Sequence, residues 1–156
     1  MGGSGWAGWR CGWMVAPKPI VQAANALQSH STSNVNSITQ RAAVAALTAS
    51  QECVGDMLAE YKQRRDQVLA WLAEEPRLRC AIPSGAFYLF PSVSDFLSPT
   101  GRRTSLEFAD ALLRDEHVVT TPGEAFDCPG YIRLSYATSL DRLREGVTRL
   151  IRFARE

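Results

Sequence analysis

A chain of 156 residues with 46% hydrophobic content can bury one sizeable core, which predicts a single compact domain plus trailing segments. Charged residues make up 21% and the net charge is +1, a balance that leaves no long-range field to recruit nucleic acid or an anionic membrane surface. No apolar run approaches the roughly 20 residues that span a bilayer and no basic-then-hydrophobic leader opens the chain, so a soluble, cytoplasmic protein is expected.

The first ten residues mix four glycines with two tryptophans and end at Arg10, a composition that suits a loop cut from something larger. Residues 11–16 form a short apolar stretch ending at Pro17, read as a strand that needs neighbours on both sides. From Pro19 the pattern turns helical, with Ile20, Ala23, Ala24 and Leu27 at helix spacing before a polar loop over 29–36. A second helix is predicted over 37–47. Thr48 and Gln51 have the spacing of a capping box, and after them Val54, Leu58, Tyr61, Arg65, Val68 and Leu72 recur on one face. A helix over 50–74 would be about 36 Å long, a length suited to bridging two bodies.

Past Pro76 the period changes. Residues 85–91 are aromatic-rich and bounded by turn formers, as in a buried strand, and Thr104 with Glu107 is a second capping-box pattern opening a helix through Leu113. Strands are predicted over 118–121 and 131–136, separated by Pro122-Gly123, and Ser139 caps a last helix carrying Leu140, Leu143, Val147, Leu150 and Ile151. The fold class is therefore α/β, with an α+β second half of about three strands and three helices.

The cysteines Cys11, Cys53, Cys80 and Cys128 form no C-x-x-C pair, and His30 and His117 stand alone, so no metal site is expected and the thiols read as idle. Arg64-Arg65 and Arg102-Arg103 are read as solvated faces. Two other arginines sit in odd places: Arg10 among glycines and tryptophans, and Arg133 inside the run Tyr131-Ile132-Arg133-Leu134-Ser135-Tyr136. A charge in a partly buried strand must find an acid or an anionic ligand. For Arg133 the residues leave two readings: an ion pair with Glu124, Asp127 or Asp141, or a fork that grips a carboxylate in two places.

Gly8-Trp9-Arg10-Cys11-Gly12-Trp13 resembles the G-x-R-x-G element of fold-type I, class I aminotransferases, and Pro83-Ser84-Gly85-Ala86-Phe87-Tyr88 is similar to their P-x-G-A-F-Y strand. Pro122-Gly123-Glu124-Ala125-Phe126 resembles the P-G-x-x-F turn, and residues 131–137 resemble the strand carrying the substrate-binding arginine. These motifs keep the family's order from Gly8 to Arg155, and residues 28–34 resemble the bacterial aspartate aminotransferase subgroup.

The resemblance implies pyridoxal 5'-phosphate as cofactor and amino acids and 2-oxo acids as substrates. It makes Arg10 the arginine on the cofactor phosphate and Arg133 the clamp for the substrate α-carboxylate. Ser33 and Asn34 fall on a loop that approaches a neighbouring subunit, implying a homodimer in full-length relatives; their alternative is to cap the helix at Ser37. The implied organisation is a remnant of the large cofactor-binding domain over 1–48, a bridging helix over 49–75 and the small C-terminal domain over 76–156.

Family members carry S-K-x-[FY]-x-M-T-G-x-R, and the position of the Schiff-base lysine falls here on Gly2, with Trp6-Ala7 in place of Met-Thr. Glycine cannot link the cofactor, so no catalytic residue is assigned and the chain is expected to be an inactive fragment lacking the family's N-terminal part. Trp6, Trp9 and Trp13 are expected to lose their packing there and to favour aggregation. The alternatives are a non-catalytic domain that associates with a full-length aminotransferase, or an incomplete gene product.

Overall fold

Local signals place the helices. In a computed structural model that describes residues 8–98 and 101–156, the chain groups into two compact units, Met1–Gln51 and Glu52–Glu156. In the first unit, α1 (Lys18–Ser31) opens with proline in its first turn, where the missing N–H costs nothing. The helix α2 (Ser37–Thr48) is capped by Asn36, whose side-chain oxygen accepts from the N–H groups of Ile38 (2.8 Å) and Thr39 (3.4 Å).

Three expectations for this unit are corrected. The capping bonds come from Asn36, so neither Ser33 nor Asn34 caps α2. Residues 11–16 form no strand, because no other described segment pairs with them, and Val15 is 95% exposed. The box expected from Thr48 and Gln51 does not form. The Thr48 hydroxyl donates back to the Val44 carbonyl at 2.8 Å inside α2, and the Gln51 amide turns to the carbonyls of Ala46 and Ala49.

The second unit begins with α3 (Glu52–Leu72), whose first turns are exposed and whose buried face starts at Tyr61 and continues through Val68 and Leu72. Next come β1 (Tyr88–Leu89), α4 (Ser105–Glu116), β2 (Thr121–Pro122), β3 (Ile132–Ser135) and α5 (Leu140–Arg155). The strands form one antiparallel sheet in the order β1-β3-β2, with Tyr88 opposite Ser135 and Thr121 opposite Arg133. This unit is the α/β arrangement predicted from the sequence, with three strands and three α-helices among the described residues.

Helix α4 starts as its sequence dictates. Thr104 accepts from the Glu107 N–H at 3.1 Å, while the Glu107 carboxylate reaches one residue beyond the cap, to the Arg103 N–H at 2.6 Å. His117 ends the helix in the left-handed conformation. Ser139 stands at the N-cap of α5, although its hydroxyl makes no capping bond. Leu143, Val147, Leu150, Ile151 and Ala154 line the inner face of α5 and close over Leu72, Leu89, Phe108, Leu112 and Ile132. Phe108 and Phe153 meet edge to face at 5.2 Å, and each such fully buried ring contributes about 2 to 3 kcal/mol.

The basic pairs are less idle than expected. Arg64 and Arg65 do have acidic partners, Glu60 at 2.6 Å and Asp66 at 2.8 Å, but Arg102 lies 4.1 Å above the ring of Phe153 and helps cover the core. Among the described residues no helix is long and apolar enough to cross a membrane.

Candidate functional site

In the first unit, Arg10 follows Gly8-Trp9 in the left-handed region (φ 54°), and Ser33 takes the same conformation (φ 61°) just past the end of α1. The turn at Ser33 is held by the N–H groups of Thr32 and Ser33, which both donate to the Gln28 carbonyl at 3.1 and 2.9 Å. Arg10, Gln28, Ser33 and Asn34 thereby border one open cleft of about 910 Å³, with Trp13 and Met14 on its apolar side. The sequence-predicted residues Arg10, Ser33 and Asn34 are thus brought together. A guanidinium beside amide and hydroxyl donors suits an anion with several oxygens.

In the second unit, Arg133 stands on the central strand. Its Nη2 donates to the Thr121 hydroxyl on β2 at 3.4 Å, a long hydrogen bond across the pair that register makes opposite. Its guanidinium carbon lies 4.3 Å from the ring centre of Tyr88 and 4.6 Å from that of Phe126. Phe126 in turn meets Phe90 edge-on at 6.0 Å, and Phe90 stacks on Tyr131 at 5.3 Å.

Among the described residues Arg133 makes no ion pair, so none of Glu124, Asp127 and Asp141 takes the role left open for it. Glu124 is committed elsewhere: its Oε2 accepts from the Ser105 hydroxyl at 2.7 Å, and the Ser105 oxygen accepts from the Gly130 N–H at 2.9 Å. Burial pushes the Glu124 carboxyl upward, but the Ser105 hydroxyl and the N–H groups of Glu124, Leu106 and Ser105 outweigh it, and the group ends below the usual carboxylate range. This carboxylate ties the turn after β2 to the positive end of α4.

Sequence reasoning named Arg133 but missed Thr121, Tyr88 and Phe126 as its neighbours. The aromatic pair lay inside quoted motifs, yet contact with Arg133 depends on strand register, which no local pattern supplies. Among the described residues no group of three or more His, Cys, Asp or Glu side chains is placed so that it could hold a metal ion, and all four cysteines are unpaired thiols.

Residues 4–150 match the family model "Aminotransferase class I and II". The chain belongs to that family. It is 45% identical over 146 residues to the aspartate aminotransferase of Geobacillus stearothermophilus, a match covering 94% of this chain and 37% of the relative. It is 38% identical over 149 residues to the aspartate/prephenate aminotransferase of Nitrosomonas europaea, covering 92% and 38%. The solved aspartate aminotransferase of Rhizobium meliloti superposes with a TM-score of 0.88 at 36% identity, covering 95% of this chain and 38% of that one. The aromatic aminotransferase of Pyrococcus horikoshii superposes at 0.86 with 34% identity, covering 96% and 39%. The chain therefore spans a little over a third of the length of the relatives it matches, and its fold is that of the corresponding region of class I aminotransferases.

Proposed function

We propose that this chain carries the anion-gripping part of an aspartate aminotransferase-like enzyme: Arg133 binds the α-carboxylate of an amino acid or 2-oxo acid, and Arg10 binds the phosphate of pyridoxal 5'-phosphate. The observation that carries the reading is that Arg133 sits partly exposed on a strand, braced by two rings and one hydroxyl, with no acid among the described residues spent on its charge. A planar guanidinium held without a carboxylate of its own keeps its paired donors for a carboxylate that arrives.

The donor set around Arg10 fits the phosphate end of the cofactor, which supplies the electron sink for amino transfer when bound. The aldehyde end finds no counterpart in the sequence. Position 2 is glycine, and it lies outside both the described residues and the family match; the lysines present are Lys18, at the start of α1, and Lys62, on the exposed side of α3. The chain by itself is accordingly proposed to be inactive in transamination. Ser33 and Asn34 are proposed to face a second subunit, in a homodimeric, cytoplasmic assembly.

The test mixes the purified chain with pyridoxal phosphate, aspartate and 2-oxoglutarate. The expected result is no cofactor absorbance that survives gel filtration and no amino transfer; observing both would overturn the proposed inactivity. Arg133→Ala tests the clamp reading, with an expected loss of about 1 to 2 kcal/mol from two ring contacts and one long hydrogen bond. A buried ion pair would cost about 3 to 5 kcal/mol, and a melting difference of that size would refute the reading.

A second reading has its own observation. Trp9 and Trp13 are each 57% exposed, as are Leu27, Ile38 and Leu47 along α1 and α2 to similar or greater extents, which favours a chain that associates with a complete aminotransferase subunit. Co-elution with a full-length relative checks it.

A further inference from the structure

We propose that Phe126 and Tyr88 are positioning residues that hold the Arg133 guanidinium in the plane needed to receive a carboxylate, an inference that rests on reading Arg133 as a carboxylate clamp. A two-point grip requires the fork to be fixed before the ligand arrives, yet the arginine stem has several rotatable bonds. An acidic neighbour would fix it, but would also occupy the donors and compete with the incoming anion.

The two rings solve this differently. Tyr88 lies on β1 and Phe126 on the 3-10 turn Gly123–Phe126 that follows β2, so the contacts at 4.3 and 4.6 Å come from the two sides of the central strand. Ring faces attract the cation without accepting its N–H groups in the way a carboxylate does. Among the described residues only Nη2 is engaged, through the 3.4 Å bond to Thr121.

Phe126 is itself braced. Its ring rests on Phe90, which stacks on Tyr131 two residues before Arg133, so the restraint returns to the strand that carries the arginine. The turn holding Phe126 depends on Gly123, whose N–H donates to the Tyr131 carbonyl at 2.8 Å. Phe126 is 43% exposed, so its contact with Arg133 adds little to the core. A ring left largely exposed yet covering a guanidinium contributes to orientation more than to stability.

The test uses the whole chain labelled with nitrogen-15, with the Arg133 Nε–H resonance assigned by its loss in Arg133→Lys. In the unsubstituted chain this resonance should be shifted by the ring currents and should move on titration with 2-oxoglutarate. In Phe126→Leu it should return toward the position of a free arginine, and the 2-oxoglutarate Kd should rise about three- to tenfold. Phe126→Tyr should restore both, and the melting temperature of Phe126→Leu should stay close to the parent's. Should Phe126→Leu fail to fold, Tyr88→Leu carries the same expectation from the other side.

An unchanged resonance and Kd in a folded Phe126→Leu would overturn the proposal. If 2-oxoglutarate does not move Arg133 in the unsubstituted chain while Phe126→Leu still releases the guanidinium, the ring restraint stands and the clamp reading alone is lost.

Discussion

Replacing Gly123 with alanine would place a β-carbon 1.9 Å from the Cys128 carbonyl oxygen and 2.8 Å from that of Tyr131, both backbone atoms that cannot swing aside. Relief requires the turn to open, which sacrifices the hydrogen bonds from the Gly123 N–H to Tyr131 (2.8 Å) and from the Cys128 N–H to Gly123 (3.0 Å). Two such bonds are worth about 1 kcal/mol each, and forced overpacking adds about 1 to 3 kcal/mol. The expected loss is therefore about 3 to 5 kcal/mol, or roughly 6 to 20 °C in melting temperature for a chain of this size. Gly146→Ala is the matched control, since nothing lies within 4 Å of the new atom and it stands inside α5. There the exchange should stabilise by about 0.5 to 1 kcal/mol through helix propensity. Urea titrations of both variants followed by circular dichroism decide the matter: a Gly123→Ala chain within about 1 kcal/mol of the parent would refute the steric reasoning. Loss of this turn would also displace Phe126, so the variant should weaken carboxylate binding along with stability.

Two further outcomes follow from single side chains. Glu75, with its side chain 7% exposed, receives Arg77 at 2.7 Å and Arg155 at 3.2 Å; the hydrogen bond from Arg77, then that from Arg155, overcome burial and hold its carboxyl down from 4.5 to about 2. A carboxyl depressed in the folded state contributes stability above its unfolded value and loses it as the pH falls from about 4.5 toward 2, so the urea midpoint of the parent should drop more steeply over that window than that of Glu75→Gln. Asn36→Ala removes both capping bonds of α2 and should cost about 1 kcal/mol in the first unit, read as lowered amide protection at Ile38 and Thr39; unchanged protection there would refute the capping role.

What the sequence determined by itself is the set of features whose partners lie within one turn. Proline at the start of α1, the Thr104 cap of α4 and the spacing of Leu143, Val147, Leu150 and Ile151 on α5 are local, because helix bonds join residues four apart. Motif order likewise made the family legible, since it survives in one dimension. Only the tertiary structure decided that residues 11–16 pair with no described strand, that β1 and β2 are two residues long, and that Thr48 bonds back into α2 instead of opening α3. It also decided the surroundings of Arg133: residues 88, 121 and 126 meet it through the register of three strands and one turn. Strand pairing and side-chain packing depend on partners distant in sequence, so no window along the chain encodes which rings a partly exposed arginine will find.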